Sequence, residues 1–360
     1  MKIHKFIGKL VLATLVFTAC NNDDDTSVPI PEETGFSKGI LVSGEGAGTQ
    51  GGNITFISGD SLQPLPKVFK TVNNRDLKVF LNSLAFDDTN TYIIIDDDNT
   101  ITKVNSVTFQ QEAILTEGLS TPRFMAINEG KGYVSNWGVK TDPNDDFVAV
   151  VDLNSFSVEA TIPVKEGPEQ VIVSEGTVFV SHKGGFGTNS IVSHFSVGSE
   201  QVSEIEVGDN PDEMEIGPQG KLWVLSGGKT VFNADFSQVL EKTAGRITRI
   251  NVATKEVEQS LPFENEDQPG YMDIEGNTLF YTVGNTIYQT SIASPELYTN
   301  EINVETKNSF YGMTVDEDRI YIADANFAGQ SEIKFYTLST QTWSESIPVG
   351  AAAAKIYIRK

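Results

Sequence analysis

The stretch 168–225 states one pattern twice. Pro168 and Val171 open an apolar strand, a tight Ser-Glu-Gly turn follows at 174–176, and a second apolar strand occupies 177–181. After a Gly-rich loop and two further strands the chain restarts at Pro211, with Met214 in place of Val171 and Gly217-Pro218-Gln219-Gly220 as the turn. A repeat of forty-odd residues containing four short strands is the unit of a β-propeller blade.

The same unit runs through the chain. The innermost strand of each repeat is marked by an apolar residue with a second apolar residue two places on: Leu84, Met125, Val171, Met214, Met272, Met313 and Ile356. Successive spacings are 41, 46, 43, 58, 41 and 43 residues. Four of these anchors carry a proline three places earlier, at Pro122, Pro168, Pro211 and Pro269. Short turns of Asn, Asp, Glu and Gly follow each innermost strand, as hairpins require. An irregular sandwich would not produce this spacing.

The two ends of the repeat array complement each other. Residues 39–43 match a second strand with no first strand before it, and residues 355–358 match a first strand with no blade after it. Pairing the last strand with the first removes both exposed edges. The expected fold is therefore all-β: one seven-bladed β-propeller over 39–360, four antiparallel strands per blade, the C-terminal strand closing blade 1.

Residues 1–19 read as a leader. Lys2, Lys5 and Lys9 precede a short apolar core at 10–17, and small residues lead to Cys20, the single cysteine of the chain. The apolar run is too short to span a bilayer. The pattern resembles a bacterial lipobox, which implies cleavage before Cys20 and its lipidation. Residues 20–38 are then a polar, acidic tether. Such a chain is held on a membrane by acyl chains alone. An acidic run directly after the cysteine resembles a surface-export signal, so the expected location is the outer membrane, facing outward. Removing residues 1–19 takes away three lysines and no acids and moves the formal net charge from −23 to −26. That charge argues against nucleic acid as a partner.

Function is expected on one face. Loops between second and third strands share a face with the blade-to-blade connections, and here that face carries long segments at 44–52, 136–146, 182–189, 227–245 and 324–330. The turns of the opposite face read as short throughout. Long loops on a rigid scaffold mark the working surface. Residues one and two places before each anchor ring the mouth of the central channel. Arg123, Phe124, Glu169, Gln170, Asp212, Glu213, Tyr271 and Tyr311 are the expected ligand-binding positions there, with Trp137, His182, Phe186 and Phe327 from the loops. Aromatics and polar groups in one concave ring suit a small ligand. Trp223 and Trp343, within strands, read as core.

Organised catalytic chemistry is not visible. No GxSxG elbow occurs. Gly184-Gly185-Phe186-Gly187 opens no helix and is not a phosphate cradle. Residues 142–146 begin like a calcium loop but lack the central Gly and closing Glu. Asp96-Asp97-Asp98 offers weak cation binding, and Glu169, Asp212 and Glu213 offer a calcium site at the channel. Only His182 and His194 remain outside the leader, which argues against a His-rich zinc site. No cofactor, resident metal or catalytic residue is assigned.

The phrases around Val207–Met214 and Gly220–Gly228 resemble YncE-like propeller repeats across residues 36–360. With the lipobox, the acidic tether and the segment GILVSGEGAGTQGGNITFI, the chain is similar to surface cobalamin-binding propeller lipoproteins. That resemblance implies capture of vitamin B12 on one propeller face and delivery to an outer-membrane TonB-dependent transporter. A scaffold for protein partners is the alternative, and a calcium-dependent lactonase or quinoprotein-type enzyme a third.

Overall fold

A computed structural model describes residues 35–48, 50–59, 62–139, 141–185 and 187–360. The leader, Cys20, most of the tether and Phe186 lie outside the described residues.

Seven antiparallel sheets surround a channel, and their innermost strands are Ala353–Arg359, Leu81–Phe86, Pro122–Asn128, Pro168–Ser174, Pro211–Gly217, Pro269–Glu275 and Ser309–Asp316 for blades 1 to 7. Every anchor read from the sequence falls in one of these strands. Ala353–Arg359 pairs with Gly39–Gly44 from Gly39↔Arg359 to Gly44↔Ala353, so the C-terminal strand closes blade 1. Tyr357 on that strand also accepts the Leu84 N–H of blade 2 at 2.8 Å, which ties the closing strand to both neighbours.

The sequence forms these blades because alternate residues of each central strand face different neighbours. Ile93 and Ile95 pack towards blade 1, whereas Tyr92 and Ile94 pack towards blade 3. Leu222 and Val224 face blade 4, and Trp223 and Leu225 face blade 6. Such strands are buried on both faces and read as continuous apolar runs. One apolar cluster fills each of the seven blade-to-blade gaps, in place of a single central core.

The faces separate as topology requires. Turns between strands 1 and 2 meet turns between strands 3 and 4 on the lower face, for example Leu153 N–H to Gly130 C=O at 3.0 Å and Val197 N–H to Gly176 C=O at 2.9 Å. Blade-to-blade connections meet the strand 2–3 loops on the upper face, for example Trp137 N–H to Thr121 C=O at 3.1 Å.

Three features depart from the regular pattern. The 227–245 segment that lengthens blade 5 folds into its own hairpin, Thr230–Phe232 with Val239–Lys242. The lower-face set of turns is not short throughout: in blade 6 residues 292–301 separate the third strand from the outer one, running up the blade edge where Gln289 N–H donates to Thr299 C=O at 3.1 Å. Finally, a short helix, Val68–Asn73, follows the outer strand of blade 1, Pro64–Leu65, and buries Val68 and Phe69.

Candidate functional site

In every blade the innermost strand carries one extra residue near its upper end. The register steps between Pro122 and Met125, Pro168 and Val171, Pro211 and Glu213, Pro269 and Met272, Phe310 and Gly312, and Leu81 and Ser83; in blade 1 it steps opposite Ser43 and Gly44. A bulge re-aims side chains that would otherwise alternate in and out of a sheet. Hydroxyls on the second strands hold these bulges. Ser135 Oγ accepts Phe124 N–H at 3.1 Å, Ser181 Oγ accepts Gln170 N–H at 3.1 Å, and Thr282 Oγ1 accepts Tyr271 N–H at 3.0 Å. Ser181 Oγ also donates to Asp212 C=O of the next blade at 2.9 Å, using both capacities of a hydroxyl to join blades.

The re-aimed residues converge on one cavity of about 390 Å³ in the channel, lined by Arg123, Phe124, Glu169, Gln170, Asp212, Glu213, Tyr271 and Tyr311. Glu45, Lys183 and Lys355 also line it. Glu45 and Lys183 belong to the long loops at 44–52 and 182–189; their positions follow from loop geometry, which has no sequence period to read.

Charges in the cavity are largely paired. The Arg123 guanidinium meets Glu169 through two bonds, Nε to Oε2 at 3.1 Å and Nη2 to Oε1 at 2.9 Å. Its Nη1 reaches Asp96, and its plane stacks on the Trp137 ring at 4.0 Å. Despite burial, the two carboxylates hold the guanidinium above its usual range. Asp96 is thus engaged by this arginine, and three blades are joined through it. Lys183 Nζ pairs with Asp212, whose charge pushes the ammonium up. Gln170 bridges Glu213 and the Met214 N–H.

Three groups of the cavity are less compensated. Burial, and then the adjacent Asp212 carboxylate, push the Glu213 carboxyl well above its ordinary range. Burial pushes the Lys355 ammonium down, and it sits 5.1 Å from the Phe124 ring centroid. The Tyr311 hydroxyl donates to Glu45 Oε1 at 3.3 Å, and burial followed by that carboxylate raises it to about 12. Among the described residues no three His, Cys, Asp or Glu side chains are grouped to hold a metal ion. Glu169, Asp212 and Glu213 face Arg123, Lys183 and Gln170 instead. In the 136–146 loop, Asp145 accepts the Val139 N–H at 2.9 Å and Asp142 the Asn144 N–H at 3.1 Å, so these carboxylates shape the loop.

The loop residues divide. Phe327 packs edge-on against Tyr311 with centroids 5.0 Å apart and is partly exposed at the rim. Trp137 backs Arg123 and donates Nε1–H to Pro168 C=O at 2.9 Å, while lining a neighbouring cleft of about 220 Å³. His182 is fully buried, with Nδ1 3.2 Å from Glu166 C=O; burial lowers its pKa to about 4. It supports the 164–167 connection and presents no edge to a ligand. Phe186 is outside the described residues.

Residues 38–347 match the profile of a domain of unknown function, DUF5074. The chain belongs to the DUF5074 family. No curated protein matches the sequence. This DUF5074 propeller is similar in fold to a Bacteroides fragilis protein provisionally assigned as a 6-phosphogluconolactonase, with TM-score 0.61, 10% identity, and coverage of 92% of this chain and 100% of that one. It is also similar to apo AztD from Citrobacter koseri, with TM-score 0.55, 8% identity and coverage of 88% and 96%. A dihydro-heme d1 dehydrogenase, NirN, solved in complex with DHE, gives TM-score 0.58, 12% identity and coverage of 91% and 76%. At these identities the likeness is one of fold alone.

Proposed function

We propose that this protein is a lipid-anchored binding protein that captures a small ligand at the upper-face cavity and passes it to an outer-membrane transporter, with cobalamin the leading candidate. One observation carries the reading: bulged strands of successive blades turn acidic, basic, amide and phenolic groups into one concave site, where Glu213, Lys355 and Tyr311 are partly buried with shifted proton affinities. Perturbed groups gathered in a cleft with convergent polar side chains are a physical marker of a binding site. A cavity of about 390 Å³ does not enclose a corrin. The flat ring would lie across the mouth near Phe327, with an amide arm reaching the cavity. The tether joins the ring on the face opposite the cavity, where Phe36 N–H donates to Val107 C=O at 2.9 Å in a lower-face turn. Gel filtration of residues 21–360 with cyanocobalamin tests the ligand. Co-elution that Tyr311→Ala abolishes supports capture, and separate elution at micromolar concentration removes cobalamin.

A second reading, a scaffold for protein partners, is favoured by the blade 5 hairpin. It exposes Phe236 at 77%, Leu240 at 65% and Val239 at 53% of their surfaces. If the hairpin is a docking element, Phe236→Ser with Leu240→Ser abolishes co-purification of a membrane partner while leaving ligand binding intact.

A further inference from the structure

A second cleft, of about 400 Å³, lies at the rim between blades 1 and 2. It shares the 44–52 loop with the central cavity, which takes Glu45 from that loop. Its walls come from the end of the 44–52 loop, the upper end of the strand Asn53–Ile57, the helix Val68–Asn73 and residues 76–79. The cleft exists because the outer strand of blade 1 is only Pro64–Leu65. It pairs with Phe56 and Ile57 only, so at its upper end the third strand has the helix rather than a pairing strand on its outer side.

Its floor is backbone brought unusually close. Gly52 N–H donates to Lys78 C=O at 2.7 Å. A Cβ at Gly51 would lie 1.8 Å from Leu77 O, and one at Gly52 would lie 2.6 Å from Leu81 Cβ. Side chains at either position would fill the cleft or push the two segments apart.

The charge of this cleft opposes that of the molecule. The whole chain carries a formal −23, yet the cleft is lined by Lys67, Lys70 and Lys78 against one acid, Asp76. Asp76 is taken by Lys70 Nζ at 2.8 Å, and the Arg75 guanidinium lies over the Phe69 ring at 4.7 Å. Among the described residues no carboxylate pairs with Lys67 or Lys78, and both line the cleft with Phe69, Leu77 and Val79. Two uncompensated ammonium groups beside apolar walls attract an anion that also has an apolar body. We propose that this cleft binds a small organic anion, its carboxylate or phosphate between Lys67 and Lys78 and its apolar part against Val79.

Calorimetric titration of the full-length protein in detergent tests this, with phenyl phosphate, benzoate and inorganic phosphate as probes. Phenyl phosphate or benzoate is expected to bind more tightly than inorganic phosphate, and the comparison of the first two identifies the head group. Lys67→Glu with Lys78→Glu should weaken binding at least about tenfold, since reversing two charges removes the attraction. Lys38→Glu, an exposed charge reversal outside both cavities, should leave it unchanged, and added salt should weaken it. Both lysines are exposed, so the double variant retains the wild-type melting profile. The proposal is overturned if none of the probes binds at millimolar concentration, if inorganic phosphate binds as tightly as phenyl phosphate, or if the double variant binds like wild type.

Discussion

Arg123 is the residue on which most of the cavity wall depends. Its partners Glu169 and Asp96 are 3% and 7% exposed, so Arg123→Ala takes from two buried carboxylates the guanidinium that pairs with both. Breaking a buried pair from one side costs about 3–5 kcal/mol. Urea unfolding should show that loss at neutral pH, with partial recovery when Glu169→Gln and Asp96→Asn are added. A single-variant loss below about 1 kcal/mol, the usual value of a surface pair, would show that the network is solvated. Asp146 makes the opposite case. Burial raises its carboxyl from 3.8 to about 6, against the lowering effect of the Gly167 N–H it accepts. The folded state then holds a proton that the unfolded chain releases, so its contribution to stability falls as pH rises through that interval. Asp146→Asn keeps an acceptor for Gly167, and should be more stable than wild type at pH 7 and lose that advantage below pH 4. Melting temperatures across the pH range check the sign. These residues differ in how they can be read from sequence. Glu169 and Arg123 stand at fixed offsets from Val171 and Met125, so strand periodicity places them at the mouth. The bulge that turns them inward is invisible, but its position is constant. Glu45 and Lys183 sit in loops with no phase, and only the fold brings them to the cavity. His182 looked like a loop residue, yet it ends the strand Thr177–His182 and points into the interior.

At the scale of elements, the strands were legible and the exceptions were not. Central strands advertise themselves through apolar runs such as residues 92–95, which are needed on both sides of a blade. The helix Val68–Asn73 has no such signal. Its flanking residues Lys67 and Asn74 are left-handed, no side chain caps its start, and six residues are too few for an amphipathic period. Its place is set by tertiary contacts: Asn73 Nδ2 donates to Phe109 C=O at 3.0 Å and Asn73 Oδ1 accepts the Gln111 N–H at 2.8 Å. The blade 5 hairpin was legible as extra length and not as a hairpin, since its two strands of three and four residues carry no clear alternation. Its base is fixed independently of its tip, by Thr243 N–H to Lys229 C=O at 2.9 Å and Gln268 Nε2 to the same carbonyl at 3.0 Å. Replacing residues 231–241 with a two-residue turn should therefore change unfolding free energy by no more than about 0.5 kcal/mol, as for other exposed positions. A large loss would mean that the tip packs on the ring in solution.

The ring as a whole rests on its closure. Each apolar cluster is shared by two blades, so a missing innermost strand strips two interfaces at once: Ile356 packs in the cluster between blades 7 and 1, and Tyr357 packs against the cluster between blades 1 and 2. Deleting residues 355–360 removes both and frees the inner edge of Gly39–Gly44 along Ile40↔Ile358 and Val42↔Ile356. It also removes Lys355 from the cavity and the Tyr357 hydroxyl from Leu84 N–H. An exposed strand edge beside an opened apolar seam invites pairing between molecules. The truncated protein should thus lose the single cooperative transition of the intact ring and associate on refolding, whereas Arg359→Ala with Lys360→Ala, which spares the strand pairing, should behave as wild type. Circular dichroism melts with light scattering distinguish the two. If the truncated chain remains monomeric and melts cooperatively near the wild-type temperature, closure is not what holds the seven blades together, and the outer strands and their loops must supply the missing stability.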